Sequence, residues 1–148
     1  MRTSLIIVNW NGRDLLEDCL PSLENQTITA EEIIVVDNGS NDDSVEFLKI
    51  SFPSVKVVTL DKNYGFAKAN NIGIRLASGS RIALLSNDTV VDSQWLEELN
   101  HALDNHPEVG FCASKILMYW DRDVIDSAGD MLGIARAYKR GHRKQDGT

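Results

Sequence analysis

At 148 residues with 43% hydrophobic content, the chain has the length of one domain and enough apolar material for a core. Its longest apolar runs are four or five residues, far short of the ~20 that cross a bilayer, and Met1-Arg2-Thr3-Ser4 leads straight into a strand pattern, so neither a membrane span nor a signal peptide is expected. The net charge of −7 hides an asymmetry: Arg136, Lys139, Arg140, Arg143 and Lys144 fall in the last 13 positions, leaving residues 1–135 with 10 positive and 21 negative charges, a net of −11. A body so acidic repels nucleic acid, and the basic tail reads as a solvated end.

In chain order, Leu5-Ile6-Ile7-Val8 reads as a buried strand, ended by the polar-aromatic loop Asn9-Trp10-Asn11-Gly12. Leu15, Leu16, Cys19, Leu20 and Leu23 then recur at helical spacing, and Pro21 is expected to kink or divide that helix. Ile33-Ile34-Val35-Val36 ends in Asp37-Asn38-Gly39-Ser40, where Ser40 and Asp43 resemble a capping box ahead of a helix carrying Val45, Leu48 and Phe52. Residues 55–60 read as a third strand, followed by the polar Asp61-Lys62-Asn63.

A small-residue helix over 66–77 places Phe66, Ala69, Gly73 and Leu76 on one stripe, with Gly79 as a C-cap signal. Ile82-Ala83-Leu84-Leu85, apolar without alternation, reads as a strand covered on both faces and stops at once in Ser86-Asn87-Asp88-Thr89. Leu96, Leu99 and Leu103 mark a fourth helix stopped by Pro107, and residues 109–113 a fifth strand. This rhythm predicts an α/β fold, an open, mostly parallel, twisted sheet with helices on both faces. Cys19 and Cys112 lack metal-type spacing and read as core fillers rather than a disulfide.

In such a sheet the strands present their carboxyl ends on one edge, where ligands bind. Asn9 to Asn11, Asp37 to Ser40, Lys62 to Gly65 and Ser86 to Thr89 are therefore expected to converge. Polar clusters with one indole suit a ligand that combines a ring, a sugar and phosphates. Trp10 is positioned to stack on or flank a base, Asp37 to accept from a ribose hydroxyl or base N–H, and Asp88 to hold a divalent ion bridging two phosphates. Helix capping is the competing reading of Asp88. No G-x-G-x-x-G follows Val8 and no G-x-x-x-x-G-K-[ST] occurs. With few cations in these loops, a bound diphosphate needs a metal for neutralisation, which favours Asp88 as ligand over cap.

Val8-Asn9-Trp10-Asn11-Gly12, Val36-Asp37-Asn38-Gly39-Ser40, Asn63-Tyr64-Gly65-Phe66-Ala67 with Asn70-Asn71-Ile72-Gly73, and Leu85-Ser86-Asn87-Asp88-Thr89 together closely resemble the inverting glycosyltransferases of family 2, bacterial rhamnosyltransferase-like members above all. The resemblance implies the A-type, Rossmann-like glycosyltransferase fold, a nucleoside-diphosphate sugar donor, a Mg or Mn ion and a saccharide or lipid-linked acceptor. It sets Val8, Asn9 and Trp10 against the base, Asp37 at base or ribose, Asn63 and Gly65 along the nucleoside, and Asn87 with Asp88 at ribose, diphosphate and metal. Ser86 stands where many relatives carry a first Asp, leaving one carboxylate.

The resemblance further implies an acidic general base in the acceptor half, after Thr148, so no catalytic residue is assigned and this chain is expected to be the donor half without its base. Residues 1–118 read as the nucleotide-sugar-binding part and 119–148 as the start of the acceptor side. Asp121, Asp123, Asp126 and Asp130 read as surface residues, and His101, His106 and His142 as structural or solvent-facing. The implied setting is cytoplasmic, in polysaccharide or cell wall biosynthesis, with room for peripheral association of the full-length protein with the inner membrane face. A non-catalytic nucleotide-sugar-binding or interaction module is the alternative. A phosphoacceptor signalling domain is disfavoured because no acidic pair follows the first strand. Donor base, sugar and oligomeric state stay open.

Overall fold

The computed structural model describes residues 2–132 and 137–147; Arg136 lies outside them. It divides into two compact units, 1–97 and 98–148.

In unit 1, β1 (Thr3–Asn9), β2 (Glu32–Asp37), β3 (Lys56–Thr59) and β4 (Arg81–Ser86) form one sheet in the order β3-β2-β1-β4, with every pairing parallel. All of β1 is buried, because it is central and its alternate residues enter two separate cores. Leu5 and Ile7 pack with Val35 of β2 and with Leu16, Cys19 and Leu20 of α1 (Arg13–Glu24) and Leu48 of α2 (Ser44–Ser51). Ile6 and Val8 pack on the other face with Ile34, Val36 and Ala69 of α3 (Phe66–Leu76). Helices on both faces, expected from the unalternating apolar runs, follow from this two-sided burial.

The α3 face depends on a missing side chain. A Cβ at Gly73 would stand 2.5 Å from Ile6 Cγ2 and 3.1 Å from Val36 Cγ2. Gly73→Val is therefore expected to lift α3 and lower stability by about 1–3 kcal/mol, read by denaturant unfolding.

The amino-terminal edge is held by one carboxylate. Glu32 Oε1 accepts from Ser78 N (2.6 Å), Ser78 Oγ (2.7 Å) and Ser4 Oγ (2.8 Å). These bonds hold the Glu32 carboxyl down at about 2, from an ordinary value of 4.5. A depressed carboxyl contributes stability above its unfolded value and loses it as pH falls towards its folded one. The stability gap between the native chain and Glu32→Gln should thus be full above pH 4.5 and close between pH 4.5 and about 2, read as paired unfolding curves.

Several expectations change. Pro21 neither divides nor ends α1, which runs unbroken to Glu24: it falls in the last turn, and its carbonyl accepts from Asn25 N and Asn25 Nδ2. Ser40 does not cap α2; the N-cap is Asp43, without a side-chain bond, because the Ser40 hydroxyl is engaged by Asp37 and Asn11. Gly79 lies beyond the C-cap Ala77, where it permits close approach to Ser4. β4 is not covered on both faces, since Ile82 and Leu84 are exposed while Leu85 is buried.

In unit 2, residues 109–113 form no strand. Val109 N turns back to His106 O at 3.0 Å, and Gly110 offers no side chain to pack. The strands here are short antiparallel pairs: β5 (Ile116–Leu117) with β6 (Ile125–Ser127), and β7 (Asp130–Leu132) with β8 (Ala137–Lys139). Asp121 and Asp123 are exposed, as expected, whereas Asp126 is half-buried and pairs with Lys139 at 2.6 Å, and Asp146, also half-buried, pairs with Lys115 at 2.6 Å. The fourth helix is α4 (Trp95–Asn105). Cys19 and Cys112 are both free thiols.

Candidate functional site

Parallel register aligns the strand ends. Asn9 pairs with Asp37, Asp37 with Thr59, and Val8 with Ser86, so the four following loops emerge on one edge. The chain leaves β1 towards β2 and β3, then returns through α3 to β4 on β1's other side. That reversal opens the crevice in which open α/β sheets bind ligands. A cleft of about 390 Å³ lies there, lined by Val8, Trp10, Leu15, Asn38, Asn63, Gly65, Phe66, Ser86, Asn87 and Asp88.

Six of the eight residues singled out from sequence thus share one lining: Val8, Trp10, Asn63, Gly65, Asn87 and Asp88. Asn9 and Asp37 do not line it. Both are fully buried, immediately behind the wall. Asn9 Nδ2 donates to Asp37 Oδ1 at 3.1 Å, and Ser40 donates to Asp37 through its hydroxyl (2.5 Å) and its N–H (3.0 Å). A buried carboxylate is costly unless donors surround it, and these three satisfy it. They leave one of the carboxylate's four acceptor sites unused, so it is burial, not the Ser40 bonds, that keeps Asp37 from a ligand in this conformation.

The loops are tied to one another by short amide bonds. Asn87 Nδ2 donates to Asn9 Oδ1 at 2.9 Å, joining the β4 loop to β1. Asn38 Nδ2 donates to Asn63 Oδ1 at 2.9 Å while Asn38 Oδ1 accepts from Tyr64 N at 2.9 Å, joining the β2 and β3 loops. Asn38 N in turn donates to Asn9 O at 2.7 Å. Gly39, at φ +76, lets the β2 turn pass under Lys62, whose backbone a Cβ there would strike at 2.5 Å.

Four further residues line the cleft: Asn38 and Ser86, which lie in the loops expected to converge but were given no ligand contact, and Leu15 and Phe66, which sequence reasoning missed. Asn38 carried a signal, being next to Asp37 in the turn. Leu15 and Phe66 were assigned to core stripes, yet they are 45% and 59% exposed, because each sits at a helix start where the stripe runs out over the cleft.

Trp10 is 55% exposed and presents an indole at the cleft. Asp88, also exposed, is the one ionisable residue of the lining. No cation lines the cleft: Lys62 and Lys68 stand 5.2 and 3.7 Å from the Tyr64 ring instead. Beneath the floor, Cys19 lies 3.9 Å from the Ser86 carbonyl. Burial pushes its thiol up to about 12, with the charge of Asp88 adding to the effect, which favours the protonated form.

The donor set bears on a metal. Among the described residues no group of three or more His, Cys, Asp or Glu gathers as a cation site. One carboxylate with neighbouring neutral oxygens does not build a cage for a free ion. It fits a hard divalent cation that takes most of its oxygens from a diphosphate and water.

The sequence pattern of Glycosyl transferase family 2 matches residues 4–147. The uncharacterized glycosyltransferase YibD of Escherichia coli (strain K12) is 34% identical over 115 residues, 75% of this chain and 33% of that protein. The poly(ribitol-phosphate) beta-glucosyltransferase of Bacillus spizizenii is 34% identical over 116 residues, 74% of this chain and 18% of that protein. Among solved structures, S. aureus TarS 1-349 in complex with UDP-GlcNAc matches with a TM-score of 0.66 at 24% identity, covering 72% of this chain and 32% of that one. Mannosyltransferase PcManGT from Pyrobaculum calidifontis, in complex with GDP-Man and Mn2+, matches with a TM-score of 0.61 at 23% identity, covering 69% and 32%. These two likenesses carry the fold, which is the A-type architecture expected. The chain spans a third or less of the length of both relatives. Since the family pattern extends over nearly every residue, the chain belongs to Glycosyl transferase family 2.

Proposed function

We propose that this chain is the donor-binding part of an inverting glycosyltransferase that moves a sugar from a nucleoside diphosphate to a saccharide or lipid-linked acceptor. The observation that carries the reading is the make-up of one cleft: an indole, a set of amides and a single carboxylate at the switch point of a parallel sheet. Trp10 and Val8 flank the base. Asn63 and Gly65 border the nucleoside, and Asp37, from behind, receives a base N–H or ribose hydroxyl when the wall in front of it opens. Asn87 accepts from the ribose and Asp88 holds Mg or Mn. The bound cation neutralises charge on the diphosphate leaving group. Asn9 is buried and serves the same wall from within.

Support for this donor class comes from the neighbours that hold UDP-GlcNAc and GDP-Man. Relatives named for poly(ribitol-phosphate) glucosylation and amylovoran biosynthesis support a polysaccharide setting. A rhamnosyl donor belongs to the same class. The acceptor's general base is not in this lining, where Asp88 is the only acid and serves the leaving side. Among the described residues no helix is long and apolar enough to cross a membrane; work at the cytoplasmic membrane face is part of the proposal. Calorimetry of UDP, GDP and dTDP with Mn2+ or EDTA tests it. One of the three should bind more tightly with Mn2+; equal binding of all three in both conditions contradicts the reading.

A further inference from the structure

The hydrogen bonds behind the cleft have a direction. A carboxylate accepts and does not donate, so Asn9 must turn its Nδ2 to Asp37 Oδ1. Its Oδ1 then faces Asn87, which can bond it only by donating Nδ2. The Asn87 side-chain oxygen is the end left over, on a residue of the cleft lining that is next in sequence to Asp88. Asn9 itself is fully buried and outside the lining, so its side chain acts only through its neighbours. Gly12 packs the bond closed: a Cβ there would collide with Asn87 Nδ2 and lie 2.7 Å from Asn9 Oδ1, the two atoms of that one bond.

We propose that Asn9 is a positioning residue that carries the orientation of the buried Asp37 carboxylate across to Asn87, so that Asn87 turns an oxygen rather than an N–H towards the cation and ribose beside Asp88. The inference rests on the nucleotide-sugar reading and deepens it. With one carboxylate in the lining, a second hard oxygen matters, because divalent Mg, Mn and Ca prefer oxygen ligands. An amide released from Asn9 is free to present its N–H end, which a cation repels. Asp37, on this account, influences the diphosphate half of the site without touching it.

The test compares the intact chain with Asn9→Ala and Gly12→Ala. Affinities for UDP, GDP and dTDP, and for the matching free nucleosides, are measured by calorimetry with Mn2+ and with EDTA. The native chain gains affinity for its nucleoside diphosphate from Mn2+. Both variants should cut that gain by about tenfold, the loss of one good interaction, whereas free nucleosides, which bring no diphosphate to the cation, should lose only the Asn87 contact to the ribose and lose it alike in both buffers. Should Asn9→Ala fail to fold, Gly12→Ala decides, because it removes no side chain of the relay and only forces apart the Asn87–Asn9 bond. A gain unchanged in the folded variants overturns the proposal. So does an equal loss of affinity with and without Mn2+, which marks a purely structural role. If the native chain itself gains nothing from Mn2+, the nucleotide-sugar reading fails and this inference falls with it, a result distinct from the other two.

Discussion

Asp88→Ala is expected to abolish the affinity that Mn2+ adds to nucleoside diphosphate binding. The expected loss is about 5- to 150-fold, the usual range of coupling between two bound species. The cause is the charge pattern of the cleft, whose lining contains one carboxylate and no cation. With the metal present, Asp88 is the protein's anchor for it. With EDTA, the same carboxylate repels the diphosphate, so the variant should bind slightly tighter than the native chain. This reversal of sign separates a metal-holding Asp88 from a helix cap. Losing a cap costs about 0.5–2 kcal/mol of stability and has no metal dependence. Titration calorimetry in the two buffers reads both effects, and a drop of equal size in each counts against Asp88 as ligand.

The second large effect is expected at Trp10. A half-exposed indole on the rim of a polar cleft is a stacking platform, and base–aromatic stacking contributes about 1–3 kcal/mol per base. Trp10→Ala should therefore weaken nucleoside and nucleoside diphosphate by the same factor, with Mn2+ or without. Trp10→Phe should restore part of the loss, since a smaller ring still offers a face. Fluorescence quenching of the native indole by the bound base gives an independent readout. Asp88 and Trp10 thus predict orthogonal patterns, one confined to the metal-dependent part and the other blind to it. Loss of metal dependence in Trp10→Ala would mean that the base and diphosphate are not divided between these residues as proposed.

The parallel core was legible because buried strands leave a plain signature: Leu5 to Val8 and Ile33 to Val36 are apolar without alternation, and both central strands are covered on two faces. The convergence of loops was legible for the same reason, since parallel strands with polar residues at their carboxyl ends leave few other arrangements. The coverage of β4 was not. Ile82 and Leu84 have the same apolar character whether a neighbour covers them or not, and sequence alone does not record the neighbour.

Residues 109–113 failed for a related reason. Apolar side chains do not by themselves supply partners for backbone N–H and C=O groups, and the turn at Val109 takes the first of them. The finest distinction concerned Asn9. A binding amide and a buried amide both follow an apolar strand and both want polar partners. Only the aligned register of Asn9 with Asp37, and the reach of Asn87, separate a wall residue from a contact residue.

Paramagnetic relaxation from Mn2+ in an isotope-labelled chain tests the central claim most directly. With the tightest-binding nucleoside diphosphate present, broadening should centre on Ser86 to Thr89 and extend to the Trp10 indole, while Glu32, Ser78 and Gly79 at the opposite edge of the sheet stay sharp. Broadening centred on that opposite edge, or none that depends on the nucleotide, would contradict the account.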